Sequence, residues 1–175
     1  MQLTDVDTLK LYGSIGGDKD DDLLDMLITQ VSAQIQGYLN RDLKPAERTE
    51  YFDGGSQIYL RAYPVDGSES ITIKIHGVET VDYYIDLKTG IVTFLSSAPS
   101  CYPNSIEITY TGGYVSVPDD LQLSCCMQTN FVYRRRKDEG STNINMESGS
   151  IQTQPSGLLE GVKEILDSYR SLGHG

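Results

Sequence analysis

The sequence predicts an α+β fold, a small helical bundle with an antiparallel β-rich insertion between its first long helix and its second. Apolar residues recur at intervals of three and four in three stretches, which predicts helices at about 18–40, 118–137 and 158–172. Between 47 and 113 the pattern changes to short runs rich in β-branched and aromatic residues, with glycine and proline turns between them. These two patterns imply two structurally different parts of one chain.

A short helix is expected before the first long one. Thr4 followed three residues later by Asp7 resembles a capping box, with Asp in place of the usual Glu. The helix should run through Leu9 and Leu11 and stop at Gly13.

Aspartates at 18, 20, 21 and 22 precede the first long helix. Those at 18, 20 and 22 alternate as ligands do in a helix-loop-helix calcium loop. However, Leu23 stands where that loop needs glycine and Thr29 where it needs glutamate. Carboxylates at a helix N-terminus stabilise the helix dipole without a metal. We therefore interpret the aspartates as capping groups and predict no metal site.

The β-rich insertion should contain antiparallel strands, because its connections are too short for crossover helices. A hairpin is expected around Lys88 and Gly90. The clearest strand is the last, in which Ile106, Ile108 and Tyr110 alternate with polar residues. The predicted strands are 48–52, 58–60, 71–75, 83–85, 91–94 and 106–110.

The second long helix follows that strand directly. Gly112 and Gly113 permit a sharp turn, and Pro118 followed by Asp119 and Asp120 is typical of a helix start. Apolar residues then cover a wide face, so both sides of this helix should meet other protein. They are Leu121, Leu123, Cys125, Cys126, Met127, Phe131, Val132 and Tyr133.

This helix ends in Arg134, Arg135, Arg136 and Lys137, the only basic cluster in a chain of net charge -11. Two interpretations remain open: compensation of the helix dipole, and docking to an acidic partner or DNA. General nucleic-acid binding is disfavoured, because it requires clusters of lysine and arginine side chains to offset the repulsion between an acidic protein and phosphate.

After the cluster, residues 138–157 are polar and glycine-bearing, which predicts a flexible loop. A final helix should follow, and it must dock on something because a helix of about 15 residues is marginal alone in water. Its apolar stripe is Leu158, Val162, Ile165, Leu166, Tyr169 and Leu172.

The sequence contains no recognisable catalytic, cofactor or metal motif, so we predict no enzyme and no cofactor. His76 lies beside a turn glycine and His174 near the end, and neither is placed for a triad. Cys125 and Cys126 lie on an apolar helix face and should pack in the core. No signal peptide or long apolar run occurs, so we expect a soluble, unexported protein of a reducing compartment.

Three stretches carry a family resemblance: DDDLLDMLITQVSAQIQGYLNR, ITYTGGYVSVPDDLQLSCCMQTNFVYRRR and GLLEGVKEILDSYRS. Together they resemble the head-tail connector proteins of tailed bacteriophages, also called adaptor or head-completion proteins. The likeness covers nearly the whole chain and is most specific at 106–121 and in LLEGVKEILDSYR. The chain departs from shorter members in its β-rich insertion at about 47–105.

The resemblance implies a structural virion protein, a ring that commonly has twelve subunits and lies beneath the portal. Such a ring extends the DNA channel and provides the docking surface for the tail, stopper or tail-completion protein. DNA would pass without sequence-specific binding, and an acidic wall would keep it mobile. The implied location is the head-tail interface of the virion, after assembly in the host bacterial cytoplasm, with no membrane partner. Residues 1–46 and 114–175 would form the helical connector core, and 47–113 the insertion.

If this resemblance holds, the end of the second long helix and the last helix should dock on the portal or on a neighbouring subunit. The predicted docking residues are Arg134, Arg135, Arg136, Lys137, Leu158, Val162, Ile165, Leu166, Tyr169 and Arg170.

Two other functions remain as alternatives. A small binding module could use the β-rich part to recognise a peptide or glycan, through surface aromatics such as Tyr51, Tyr59, Tyr83, Tyr84 and Tyr102. A carboxylate hydrolase rests only on the abundance of acids. The acids of the insertion are more simply solvated strand or turn residues; they include Glu50, Asp53, Asp82 and Asp86.

Overall fold

The structure is a computed structural model that describes residues 1–96, 99–136 and 157–170. The chain divides into two compact units, a helical unit from 1–40 with 117–175 and a β unit from 41–116. The predicted α+β fold is confirmed. The described helices are α1 (Val6–Gly13), α2 (Asp21–Leu39), α3 (Asp119–Arg135) and α4 (Glu160–Asp167). None of them combines the length and the apolar character that a membrane span requires.

Helix α3 is central to the helical unit, because α1, α2 and α4 all contact it. Its residues Leu121, Cys125 and Cys126 are buried. The wide apolar face is therefore covered largely by helices of the same chain. These helices meet the expectation that both sides of α3 contact other protein, and Leu123 remains 43% exposed.

Helix α1 begins one residue later than the capping-box pattern suggests. Asp5 is the N-cap, and its carboxylate accepts hydrogen bonds from the backbone N–H and the hydroxyl of Thr8, at 2.8 and 2.9 Å. These bonds hold the pKa of Asp5 below its usual value. Thr4 is buried instead, with its hydroxyl 3.4 Å from the Cys126 sulfur. Packing thus takes Thr4 away from the cap, and Asp5 replaces it.

The aspartates before α2 do more than cap the helix. Asp20 occupies the N-cap position, but its carboxylate makes no capping hydrogen bond and instead binds Tyr133 of α3 and Arg136, the C-cap of that helix. Lys10 of α1 binds Asp18 and Asp21, each at 2.9 Å. The capping interpretation was thus incomplete, because Asp18, Asp20 and Asp21 also bind side chains from other helices or helix ends. No three potential metal ligands come together anywhere in the described ranges.

Helix α4 is shorter than the predicted 158–172 segment and covers Glu160–Asp167. Leu158, Val162 and Leu166 are buried in the helical unit. The predicted flexible loop lies outside the described residues except for its last position, Gly157, and Leu172 lies outside them as well.

The β unit contains two antiparallel sheets. The strands are β1 (Ala46–Phe52), β2 (Gln57–Tyr59), β3 (Thr72–Ile75), β4 (Val78–Thr80), β5 (Tyr83–Asp86), β6 (Ile91–Phe94) and β7 (Ile106–Gly112). One sheet has the strand order β1-β7-β3-β4 and the other β2-β6-β5. The predicted hairpin is present as β5 and β6. The sequence prediction missed β4, a three-residue strand whose first two residues are exposed.

Residues of both sheets share one buried core, and Tyr110 is its largest polar member. Its hydroxyl donates to a carboxylate oxygen of Glu50 at 2.8 Å and accepts from the backbone N–H of Ala62 at 3.0 Å. At Gly112 a Cβ atom would overlap the carbonyl oxygen of Ala62. The chain at residue 62 therefore lies tightly against the end of β7.

The boundaries between the units differ from the predicted 46/47 and 113/114 by a few residues. The Arg41 guanidinium stacks on Tyr63, 3.7 Å from the ring centroid, and lies 5.4 Å from that of Tyr114. The backbone N–H of Tyr114 also donates to the carbonyl of Leu43. These contacts make the segments next to β1 and β7 part of the β unit.

Candidate docking surface

Arg134 joins the end of α3 to the end of α1. One terminal nitrogen of its guanidinium donates to the carbonyl oxygen of Gly13 at 2.7 Å, and Nε donates to the Asn130 side chain at 3.0 Å. The last carbonyls of a helix lack partners within that helix, so a guanidinium from a neighbouring helix satisfies one of them. Arg134 therefore fixes two helix ends together.

Arg136 joins the same end of α3 to the start of α2. It forms an ion pair with Asp20 at 3.0 Å and donates to the carbonyl of Tyr133 at 2.6 Å. Its guanidinium carbon also lies 3.6 Å from the centroid of the Tyr133 ring, within the range of a cation–π interaction. The hydrogen bond to Tyr133 fits the predicted role of balancing the helix terminus, and the ion pair adds a second role.

The other two members of the cluster differ from these. The Arg135 guanidinium lies 5.2 Å from the centroid of the Phe131 ring. Lys137 lies outside the described residues. Arg135 is thus the arginine whose charge is best placed to meet a further partner, because it contacts a neutral ring.

An open cleft of 450 Å³ adjoins these arginines. It is lined by Gly13, Ser14, Ile15, Gly16, Tyr133, Arg134 and Arg136. Next to its lining in the chain are two exposed apolar side chains of α1, Leu11 with 84% and Tyr12 with 45% of its surface accessible. We call the cleft, these two side chains and Arg135, which stands between Arg134 and Arg136 in the chain, the arginine cleft. Its surface combines positive charge with exposed apolar area, as docking sites for proteins often do.

The second set of predicted docking residues lies elsewhere in the helical unit. Gln128 of α3 binds the carbonyl of Gly157 and the N–H of Leu159, which anchors the chain before α4. The Tyr169 hydroxyl donates to Asp120 at the start of α3. Arg170 lies over the Tyr38 ring. The structure therefore does not bring the two sets together, because Tyr169 meets the opposite end of α3 from the arginines.

Among the predicted residues of the last helix, Leu158, Val162 and Leu166 are covered by this chain itself, and Ile165 is half-buried. These side chains stabilise the bundle in the conformation described. No sequence pattern indicated the parts of the arginine cleft contributed by α1 and its turn. Gly13 and Arg134 are 121 positions apart, and only the packing of α1 on α3 joins them.

The surface tyrosines of the alternative binding module are spread over the β unit. Tyr59 and Tyr84 share the outward face of the β2-β6-β5 sheet, since their neighbours Ile58 and Val92 point into the core. Tyr51 belongs to the other sheet, and Tyr102 lies in a loop. Tyr83 is half-buried. The module remains a prediction, with Tyr59 and Tyr84 as its best-placed pair.

Three carboxylates of the β unit, those of Glu50, Asp66 and Asp86, serve structural roles. The pKa values of Asp66 and Asp86 are held below the usual range by hydrogen bonds from Ser68 and Thr89 in their own turns. A general acid needs the opposite shift, toward a higher pKa. Glu50 binds Tyr110 and the N–H of Arg61. These environments do not favour the hydrolase hypothesis.

The two cysteines of α3 are buried free thiols, as predicted. The Cys125 sulfur lies 3.6 Å from the hydroxyl of Ser32. Burial raises the pKa of both thiols, so they remain protonated at neutral pH and are poor nucleophiles. Their role is therefore to pack α3 against its neighbours.

Comparison with solved structures shows that chains from gene transfer agent necks have a similar fold. A chain from the neck of the empty gene transfer agent (GTA) particle, computed with C6 symmetry, aligns with a TM-score of 0.52 and 17% identity, over 90% of this chain and 81% of that one. A chain from the native GTA neck, computed with C12 symmetry, gives 0.53 and 15% identity, over 87% and 84%. At such identities the likeness concerns the fold.

Sequence comparison gives matches over nearly the whole chain. The head completion protein of Escherichia phage T5 is 23% identical over 181 residues, which cover 97% of this chain and 99% of that protein. A family model described as "Head completion protein" matches residues 2–172, nearly the entire chain. The chain therefore belongs to the head completion protein family.

Proposed function

We propose that this protein is a non-catalytic component of a phage virion, a head-tail connector that forms a ring of identical copies beneath the portal. The observation that carries the proposal is the family match over residues 2–172. The C6 and C12 symmetries of the similar necks favour a ring, with twelve copies as the expected number.

Such a ring extends the DNA channel from the portal and provides the surface on which the tail, stopper or tail-completion protein docks. The net charge of -11 suits this position. Like charge near the channel repels phosphate, so the duplex can move through without being bound. The protein then acts at the head-tail interface of the virion, after assembly in the host cytoplasm.

The docking contacts involve those predicted residues whose side chains reach the surface. In the arginine cluster these include Arg134 and Arg135, and near α4 they include Arg170. Leu158 and Leu166 instead hold α4 in place, and their contribution to assembly is indirect. Lys137 extends the cluster in sequence and remains a predicted docking residue.

The test is assembly of the purified protein, alone and with the portal protein of the same phage. Native mass spectrometry and electron microscopy should reveal rings, either free or bound coaxially to the portal. A protein that stays monomeric at all accessible concentrations, and that neither binds the portal nor forms a ring on it, contradicts the proposal. Binding of a glycan or peptide panel by that monomer would favour the alternative binding module, with Tyr59 and Tyr84 as the first residues to substitute.

A further inference from the structure

Helix α3 carries opposite charges at its two ends. Asp119 and Asp120 are exposed in its first turn, whereas Arg134, Arg135 and Arg136 stand at its end. A rise of 1.5 Å per residue separates positions 119 and 135 by about 24 Å. The two ends of one helix therefore cannot pair with each other, and each presents its charge outward.

Both ends also offer exposed apolar surface. Leu123 lies one turn after Asp119 on the same side of the helix and is 43% exposed. At the other end, Leu11 and Tyr12 accompany the arginine cleft. The first turn of α3 is thus acidic and apolar, and the cleft is basic and apolar, so the two surfaces are complementary in charge and in polarity.

The charges of the cleft leave a surplus for such a partner. Arg136 is already paired with Asp20. Arg134 contacts a neutral carbonyl and a neutral amide, and Arg135 a neutral ring. The guanidinium charges of Arg134 and Arg135 are therefore left for a partner, and their number equals that of the carboxylates of Asp119 and Asp120.

We propose that the acidic start of α3 in one copy docks into the arginine cleft of the next copy. This inference rests on the proposed ring and names the contact between its subunits. The two surfaces differ, so the interface is heterologous, and repetition of a heterologous contact gives a closed ring when its rotation closes. Apolar contact of Leu123 with Leu11 and Tyr12 would exclude water from the charged groups and strengthen their attraction.

A charge exchange at Asp119 and Arg135 tests the contact. These two are chosen because Arg134, Arg136 and Asp120 also hydrogen-bond within the chain. Asp119→Lys alone and Arg135→Glu alone should each weaken ring formation about tenfold or more, because each brings like charges together. An equimolar mixture of the two variants should recover assembly, since every contact in an alternating ring then joins opposite charges. Sedimentation velocity and electron microscopy measure both effects.

The matched control is Lys88→Glu, which makes the same change of charge as Arg135→Glu at an exposed position of the β unit, outside both surfaces. It should assemble as the unsubstituted protein does. Circular dichroism and the urea midpoint of each variant show whether the fold is retained. If both charge variants form rings normally, or if the mixture fails to recover assembly, the proposed contact is wrong, and the rings of the unsubstituted protein are held by another contact. If the unsubstituted protein forms no ring with or without the portal, the proposed function itself fails.

A disulfide provides a second, independent test. The variant Asp119→Cys/Arg135→Cys, prepared with Cys101→Ser to remove the exposed native thiol, should form a ladder of covalent oligomers on oxidation. Within one copy the two positions are about 24 Å apart, far beyond the roughly 7 Å that a disulfide spans. Each single-cysteine variant should give no ladder. Absence of a ladder from the double variant under conditions where rings are present overturns the proposal. Where the contact is too weak for a ring to be detected by sedimentation, the double-cysteine variant should still form the ladder.

Discussion

The helical unit and the β unit are each stabilised internally by a different kind of contact. In the helical unit, side chains connect helices that are far apart in sequence, as Tyr38 connects to Asp167 and Tyr133 to Asp20. In the β unit, backbone ladders connect the strands, and the Tyr110 hydroxyl adds one buried connection. Helices satisfy their backbone groups internally, so only side chains can set their mutual register. A substitution of one side chain should therefore have different consequences in the two units.

The largest expected effect is in the helical unit. Leu166→Ala removes a fully buried side chain of α4, and a cavity of this kind should lower the free energy of unfolding by about 3 kcal/mol. Urea unfolding followed by circular dichroism measures the change. If α4 were a detachable docking arm, the substitution would instead leave the main unfolding transition where it is.

Ile165→Ala is the matched control, because Ile165 is a half-buried neighbour in the same helix. Its cost should be clearly smaller than that of Leu166→Ala. Equal losses would mean that the packing of α4 described above is wrong in its rotation about the helix axis.

The next effect concerns the β unit. Tyr110→Phe keeps the ring but removes the hydroxyl between Glu50 and Ala62, and it leaves a buried N–H without its acceptor. We expect a loss of about 2 kcal/mol. Tyr84→Phe on the exposed sheet face should cost little, and a comparable loss there would contradict the assigned role of Tyr110.

Tyr110 also predicts a dependence on pH. Burial, followed by the hydrogen bond to Glu50, raises the pKa of its hydroxyl above the usual 10. The unfolded chain then loses this proton first, so the stability due to Tyr110 is complete below pH 10 and falls as the pH rises further, by about 1.4 kcal/mol per unit. Unfolding experiments at alkaline pH should show a steeper decline for the natural protein than for Tyr110→Phe. Parallel curves would contradict this assignment.

The smallest effect is expected for the ion pair between Arg136 and Asp20. Both side chains are about one-third exposed, so solvent screens their attraction. A double-mutant cycle with Arg136→Met and Asp20→Asn should give a coupling below about 1 kcal/mol, reduced further by salt. A coupling of several kcal/mol that salt does not change would mean that this ion pair is buried.

Features that depend on neighbours in the chain could be predicted. The alternation of Ile106, Ile108 and Tyr110 indicated a strand with one buried face, and the structure buries all three. The start of α3 after Pro118 was also predicted, because a fixed φ and acidic first-turn residues act locally. In such cases the order and spacing of neighbouring residues directly reflect the geometry of the strand or helix that they form.

Features that depend on distant residues could not be predicted. The placement of β7 between β1 and β3 follows from packing across the whole unit. The contact of Arg134 with Gly13 joins helix ends more than one hundred positions apart. The choice of Asp5 over Thr4 as a cap has the same origin, since Thr4 is taken into the core beside Cys126. The arginine cleft was missed for this reason, although its arginines were singled out.

The division of the helical unit into two separate stretches of chain affects its biosynthesis. Helices α1 and α2 leave the ribosome before the β unit, and α3, which both contact, is made only after residue 116. At 5–20 residues per second this delay lasts roughly 4 to 15 s. During it α1 and α2 lack their native contacts with α3, whereas the β unit is continuous and can fold as soon as it emerges. Nascent chains stalled before α3 should therefore recruit chaperones through α1 and α2.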